Sequence, residues 1–376
     1  MKKYSSLMVL LIFSAFIIAG FRNDSVRAKF EPPAGKILLV IGQDIGAIGG
    51  FPFPDNEGYT DKIKITPGGV TTYTSLPSLG GLESEVNYGA GKTCAQCIAD
   101  NPTYTNSVIS IGLYMVNEAK SVGEGTYDVQ VKNLGKWIKK INRPVFLRIG
   151  YEFDGAWNHY DTAEYKKAYR RIVDLFKTLE VTNCAYVWQS STSPVDDLIE
   201  GTHEDISAWY PGDEYVDWMG YSWFINTPKQ VELTDELLNF ARERKKPVMV
   251  CESSSQGYDI ANLTKRNIAA ILDGPAGEGR QKKKAEEIWS EWFDPFFSYI
   301  DKNKDVIKIV SYINANWDAQ RMWGAPYKEG YWGDSRVEAN KYIKTKWVET
   351  ISSGQWLNAY PQLFQQLNFE REERRR

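Results

Sequence analysis

The sequence predicts an α/β chain folded as one (β/α)8 TIM barrel, and three observations predict it. Eight short apolar runs rich in β-branched residues recur along the chain. Longer amphipathic stretches separate most of them. The length, 376 residues, suits one barrel with long loops and is short for three domains. Near-continuous apolar runs indicate a sheet buried on both faces, as a ring of helices around parallel strands produces.

The elements follow in order. Met1, Lys2 and Lys3 give a basic start, and residues 7–20 (LMVLLIFSAFIIAG) are apolar and uncharged. That length is short for a bilayer span and fits the core of an export signal, with cleavage expected after Ala28. The expected organisation is a signal peptide over 1–28, a catalytic barrel over 29–362 and a charged tail over 363–376. The mature protein is then secreted or periplasmic, monomeric and free of the membrane. The eight runs are 36–44, 84–91, 106–115, 143–152, 183–191, 214–224, 246–254 and 306–317. Helical periodicity marks 127–141, 163–179, 233–244 with Thr234 as cap, 284–300 interrupted by Pro295, and 335–351. The connection 45–83 is dense in Gly and Pro at its start and is expected to loop over one barrel face.

Composition removes several function classes. With 45 basic and 48 acidic residues, neither sign dominates, which disfavours a nucleic-acid partner. Only His159 and His203 are present, so a three-histidine zinc site is impossible; no metal or cofactor is expected. The glycines of 45–50 do not match a nucleotide-binding GxGxxG loop. Cys94 and Cys97 (CAQC) are near enough to bridge or to stay reduced, while Cys184 and Cys251 read as small core residues. Aromatic residues make up 14% of the chain, enough either for a Trp-rich core or for sugar-binding platforms.

Barrel enzymes carry their chemistry at the C-terminal ends of the strands. The fourth run ends in Arg148-Ile149-Gly150-Tyr151-Glu152 and the seventh in Cys251-Glu252-Ser253. Two glutamates at those ends face each other across the mouth. Such a pair is what glycoside hydrolysis needs, one carboxyl protonating the leaving oxygen and the other attacking the anomeric carbon.

These residues also carry a resemblance. Glu152 lies in RIGYEFDGAWNHY, Glu252 in KPVMVCESS, and the sixth run is introduced by WYPGDEYVDWMGYSWF. With VIGQD, TPGGVTTY, YGAGKTC, YVWQSS, EIWSEWFDPFF, SYINANWDAQ and PYKEGYWGDSRVE, the matching stretches run in order from about Leu38 to Trp347. The sequence resembles glycoside hydrolase family 26, a family of retaining (β/α)8 enzymes, and within it the bacterial endo-β-1,3-xylanases. The resemblance implies a polysaccharide substrate, Glu152 as acid/base and Glu252 as nucleophile. It also implies a sugar cleft lined by Gln43, Tyr151, Trp157, Asn158, Trp188, Asn314 and Trp317. Tyr151 stands where mannanases of the family usually have His. The family's sixth-strand tyrosine, which contacts the nucleophile, corresponds either to Tyr221 or to Trp223. A mannanase, a β-glucanase and a non-catalytic polysaccharide-binding barrel are the competing readings.

Physical chemistry adds roles to these residues. Glu152 has to be protonated to act as an acid, so partial burial and the neighbouring Glu252 charge are expected to raise its pKa. Arg148, on the same side of its strand as Glu152, either holds the nucleophile ionised or forms an ion pair in the barrel core. Trp157 serves as a sugar platform or packs, and Trp317 lies where a ring can floor the site. Asp154 is expected to cap a turn, and His159 to be a rim contact or solvated.

Overall fold

The computed structural model describes residues 27–52, 58–193, 205–269 and 274–371. Eight parallel strands form a closed ring: β1 (Ile37–Gly42), β2 (Gly69–Ser75), β3 (Val108–Tyr114), β4 (Val145–Ile149), β5 (Cys184–Ser190), β6 (Trp218–Trp223), β7 (Val248–Ser253) and β8 (Ile307–Ile313). Each pairs with the next, and β8 pairs with β1, with Leu38 opposite Ile309. The (β/α)8 expectation holds. Residues 1–26 of the expected export signal lie outside the described residues; its last two, Arg27 and Ala28, are described, and the Ala28 N–H donates to Glu31 Oε2 at 2.9 Å.

Alternation along the strands sorts the side chains into two layers. Outward residues such as Leu39, Ile41, Ile109, Leu147 and Val250 pack against the helices in the larger core. Inward residues Leu38, Val40, Val108, Phe146, Ala185, Val187, Trp218, Met249 and Ile309 fill the barrel. Helices α1 (Asp128–Ile141), α2 (Thr162–Thr178) and α3 (Pro228–Glu243) lie around the ring, each with its buried stripe at helical spacing: Val131, Leu134 and Ile138 in α1, for example.

Several boundaries differ from the sequence expectation, each for a local reason. The second strand is Gly69–Ser75, not 84–91. Its sequence GVTTYTS is β-branched but weakly hydrophobic, because Thr71 and Tyr73 supply polar atoms to the interior. Residues 84–91 form bends closed by one bridge between Val86 and Thr93. Helix α3 begins at Pro228, capped by Thr227, whose hydroxyl accepts from the Gln230 N–H. Proline at the first helical position marks that start. Thr234 lies inside the helix and bonds back to the Gln230 carbonyl. The 284–300 helix is not broken at Pro295: a π turn, Trp289–Phe293, precedes it, and Pro295 falls in the first turn of the following segment, Asp294–Lys302. The last long helix is Lys341–Ile351, capped by Asn340.

Cys94 and Cys97 form a disulfide at the start of the helix Ala95–Asp100, and Cys184 and Cys251 are buried thiols. The packed chain continues past 362. Leu363, Phe364, Leu367 and Phe369 close the lower end of the barrel together with Phe30, and Trp218 Nε1 donates to the Lys29 carbonyl at 2.7 Å.

Candidate active site

After β4 the chain turns through Gly150 and Tyr151 to Glu152, whose φ of 53° lies in the left-handed region. A non-glycine residue held there costs on the order of 1–3 kcal/mol and needs outside support. Asn158 supplies it, its Nδ2 donating to the carbonyls of Tyr151 at 3.1 Å and Glu152 at 2.7 Å. The second glutamate arrives differently. Met249 and Cys251 already face the barrel interior, so simple alternation would send Glu252 outward. The β6–β7 register shifts instead: Tyr221 pairs with Val250, but Ser222 pairs with Glu252. Cys251 is thus the extra residue of a bulge, and the bulge aims Glu252 into the mouth. Gly220 allows it, since a Cβ there would collide with Cys251 Sγ.

A chain of hydrogen bonds joins the two carboxylates. Arg148, fully buried, donates from Nη1 to Glu252 Oε1 at 2.5 Å and to Gln189 Oε1 at 3.1 Å. Gln189 Nε2 donates to Ser222 Oγ at 3.1 Å, and Ser222 Oγ donates to Glu152 Oε1 at 2.6 Å. The other oxygen of Glu152 accepts from Trp157 Nε1 at 3.2 Å. Burial works against the Arg148 charge, yet the facing Tyr73 and Glu252 raise its pKa above the usual arginine value. The rings of Tyr73 and Tyr151 lie 5.0 and 5.2 Å from the guanidinium. Burial pushes both phenols well up, so they stay neutral. Gly112 makes room for this stack, because a Cβ there would come within 2.9 Å of Arg148 Nη2. Tyr73 also donates to Gln43 Oε1 at 3.2 Å.

The two carboxylates therefore have unlike surroundings. Glu252 sits against a permanent cation, and Glu152 accepts from a hydroxyl and an indole. An unlike pair at one mouth suits a division into nucleophile and proton carrier.

Comparison with known proteins places the chain among glycoside hydrolases. The model of glycosyl hydrolase family 26 matches residues 105–273. A β-1,3-xylanase of a Vibrio species, TXYA, is 35% identical over 370 residues, covering 98% of this chain and 75% of the relative. The chain belongs to glycosyl hydrolase family 26. A second relative, a β-1,3-xylanase of an Alcaligenes species, is 33% identical over 98% of this chain and 74% of its own length. Among solved structures, a family 26 β-mannanase from Bacteroides ovatus shares the fold, with a TM-score of 0.52 at 14% identity, over 91% of this chain and 95% of that one.

This family 26 glycoside hydrolase gathers only part of the expected cleft. Gln43, Arg148, Tyr151 and Trp157 stand with the two glutamates, and Trp157 is 47% exposed at the rim. Asn158 shapes the turn under Glu152 and spends its amide hydrogens there. Trp188 points away from the mouth, stacked on Phe153 with centroids 4.5 Å apart. Tyr221 and Trp223 also face the helices; Trp223 packs on Tyr299 at 4.7 Å, and neither is bonded to Glu252. They flank the inward Ser222, which takes the mouth-facing position of that strand. Asn314 is buried, accepting from the Val337 N–H and donating to Glu338, so it ties β8 to the next turn. Trp317 is 2% exposed, packed on Trp332 and Trp323 with its N–H on Ser335. It backs the wall beyond β8 and does not floor the site. Asp154 does more than cap a turn: it accepts from Ser190 Oγ and the Ser191 N–H, locking the loop after β4 to the end of β5. His159 is exposed on that loop.

Three residues escaped the sequence reading: Tyr73, Gln189 and Ser222. Strand period was the available signal. Gln189 stands two residues beyond the inward Val187, and Ser222 two beyond Gly220, so both share the face that carries Arg148 on its own strand.

Proposed function

We propose that this glycoside hydrolase is an exported, monomeric, retaining endo-β-1,3-xylanase in which Glu252 is the nucleophile and Glu152 the acid/base. The observation that carries the reading is the ion pair between the buried Arg148 and Glu252, with Glu152 at the other end of the same hydrogen-bond chain. In the first step Glu252 attacks the anomeric carbon while Glu152 protonates the departing glycosidic oxygen. In the second, Glu152 takes a proton from water, which displaces the ester and regenerates the carboxylate. That sequence retains the anomeric configuration and places the carboxyl groups about 5–5.5 Å apart.

The choice of substrate is supported by the two β-1,3-xylanases that match almost the whole chain and by the rings at the mouth. Tyr151 lies between Tyr73 and Tyr114, at centroid distances of 5.4 and 6.5 Å. A pentose has no exocyclic CH2OH, so rings can close over that carbon and exclude a hexose by clash, which discriminates strongly. The test is a panel of β-1,3-xylan, β-1,4-xylan, β-1,4-mannan and mixed-linkage β-glucan, assayed for new reducing ends, with the first anomer identified by NMR. Xylobiose and xylotriose from β-1,3-xylan, released as β-anomers, are expected. Faster cutting of mannan would overturn the specificity, and an α-anomer as first product would overturn the mechanism. Export is tested by N-terminal sequencing of the secreted protein, expected to begin near Lys29.

A further inference from the structure

From Arg148 to Glu152 the hydrogen-bond chain runs in only one direction. Arginine has donors and no acceptor, so the Gln189 atom beside Arg148 Nη1 is the amide oxygen, and the NH2 group faces Ser222. A hydroxyl has one proton. Ser222 Oγ receives from Gln189, and among the described residues the acceptor for its own proton is Glu152 Oε1, at 2.6 Å. Gln189 and Ser222 are buried, so bulk water does not compete for these bonds.

We propose that Gln189 and Ser222 are positioning residues that keep Glu152 Oε1 an acceptor in both charge states, and so hold the transferable proton on Oε2, the oxygen beside Trp157. The inference rests on the acid/base reading of Glu152 and deepens it. In the first step the Oε2–H bond breaks, and its proton goes to the glycosidic oxygen, which keeps the electron pair of the broken C–O bond. The carboxylate so formed still accepts the Ser222 hydroxyl at Oε1. In the second step Oε2 takes a proton from the attacking water, and the acid returns with the same oxygen protonated. A donor fixed on Oε1 favours the ionised form that the second step needs. The titratable groups that face Glu152 are Tyr73 on β2, Tyr151 just after β4 and Cys251 on β7, with the Arg148–Glu252 pair at the same mouth. Substituting Ser222 leaves all of these in place.

The experiment is the pH profile of kcat/KM on β-1,3-xylotetraose for the intact protein and three variants. Ser222→Ala removes the donor, so the alkaline limb is expected to move up by about one pH unit, the size of one hydrogen bond to a charged group. Ser222→Thr restores the hydroxyl and is expected to return the limb. Gln189→Met frees the hydroxyl to turn and is expected to move the limb the same way by less. A purely structural role would lower rates with the limb in place. An unmoved limb in folded Ser222→Ala, or in Gln189→Met should the first variant not fold, overturns the proposal. Glu152→Ala keeps the two readings apart. If it retains the wild-type alkaline limb, the acid/base assignment itself falls. If it loses that limb and is rescued by azide while Ser222→Ala stays unmoved, only the positioning role falls.

Discussion

The lower and upper halves of the barrel interior are built by the same strands and differ by one step of the pleat. Below, Leu38, Phe146, Val187, Trp218, Met249 and Ile309 pack on Phe30 and the C-terminal Leu363, Phe364 and Phe369. Above, Arg148 follows Phe146, Gln189 follows Val187, and Ser311 follows Ile309, with Thr71 Oγ1 3.2 Å from Ser311 Oγ. The lower half stabilises the fold by removing apolar area from water, about 25 cal/mol per Å². The upper half buries polar groups, which cost stability unless each finds a partner. Stability and chemistry thus occupy adjacent layers of one interior, and the bonded chain from Glu252 to Glu152 offsets part of the cost of the upper one, where Ser110 Oγ is left without a hydrogen-bond partner among the described residues.

The largest expected effect breaks the upper half. Glu252→Ala should lower turnover by more than about 10³-fold, because no neighbour supplies a replacement nucleophile. It also leaves Arg148 buried without its carboxylate, and breaking a buried pair costs about 3–5 kcal/mol. Glu252→Gln should recover part of that stability and none of the turnover. Initial rates and denaturant midpoints on the three proteins check this; an Ala variant as stable as the parent would show that the pair does not hold the upper layer together. Next, Phe146→Ala opens a cavity in the lower half and should cost about 3–5 kcal/mol. KM and kcat of the folded protein should stay near the parent values. A changed KM would mean that the layers are coupled.

The smallest effect sharpens the comparison at the rim. Asp44, just past β1, accepts from the Ala47 N–H at 3.1 Å and from Gln320 Nε2 at 3.3 Å. Burial pushes its carboxyl up from 3.8 to about 6, against the opposing hydrogen bonds. The folded protein therefore holds this proton more tightly than the unfolded chain, and the associated stability is present below pH 4 and lost as pH rises through about 6. Asp44→Asn removes the charge and keeps a capping oxygen. The variant should match the parent at pH 4 and exceed it at pH 8, by at most about 3 kcal/mol. Urea midpoints at the two pH values test it, and an equal difference at both would remove ionisation as the cause.

Much of this was legible in the sequence because the signals are local. A run of buried residues ending in Glu, as in RPVFLRIGYE and KPVMVCES, marks both a strand and the end that carries chemistry. The second strand is not legible in the sequence because its inward residues, Thr71 and Tyr73, are polar for the sake of the upper layer, which weakens the hydrophobic pattern. The sequence does not distinguish the places of Trp188 and Trp223 because an aromatic ring reads the same whether it faces sugar or helix. The neighbour one residue away decides which, and on β6 that neighbour is Ser222. What the sequence determined by itself is the barrel, its strand ends and the two glutamates as a candidate pair, since each depends on residues a few positions apart. Only the tertiary structure decided that Glu252 faces inward and that Gln189 and Ser222 join it to Glu152. The bulge at Cys251 exists only where β7 meets β6, and the chain of bonds crosses four strands. Contacts between residues dozens of positions apart leave no period in the sequence to be read.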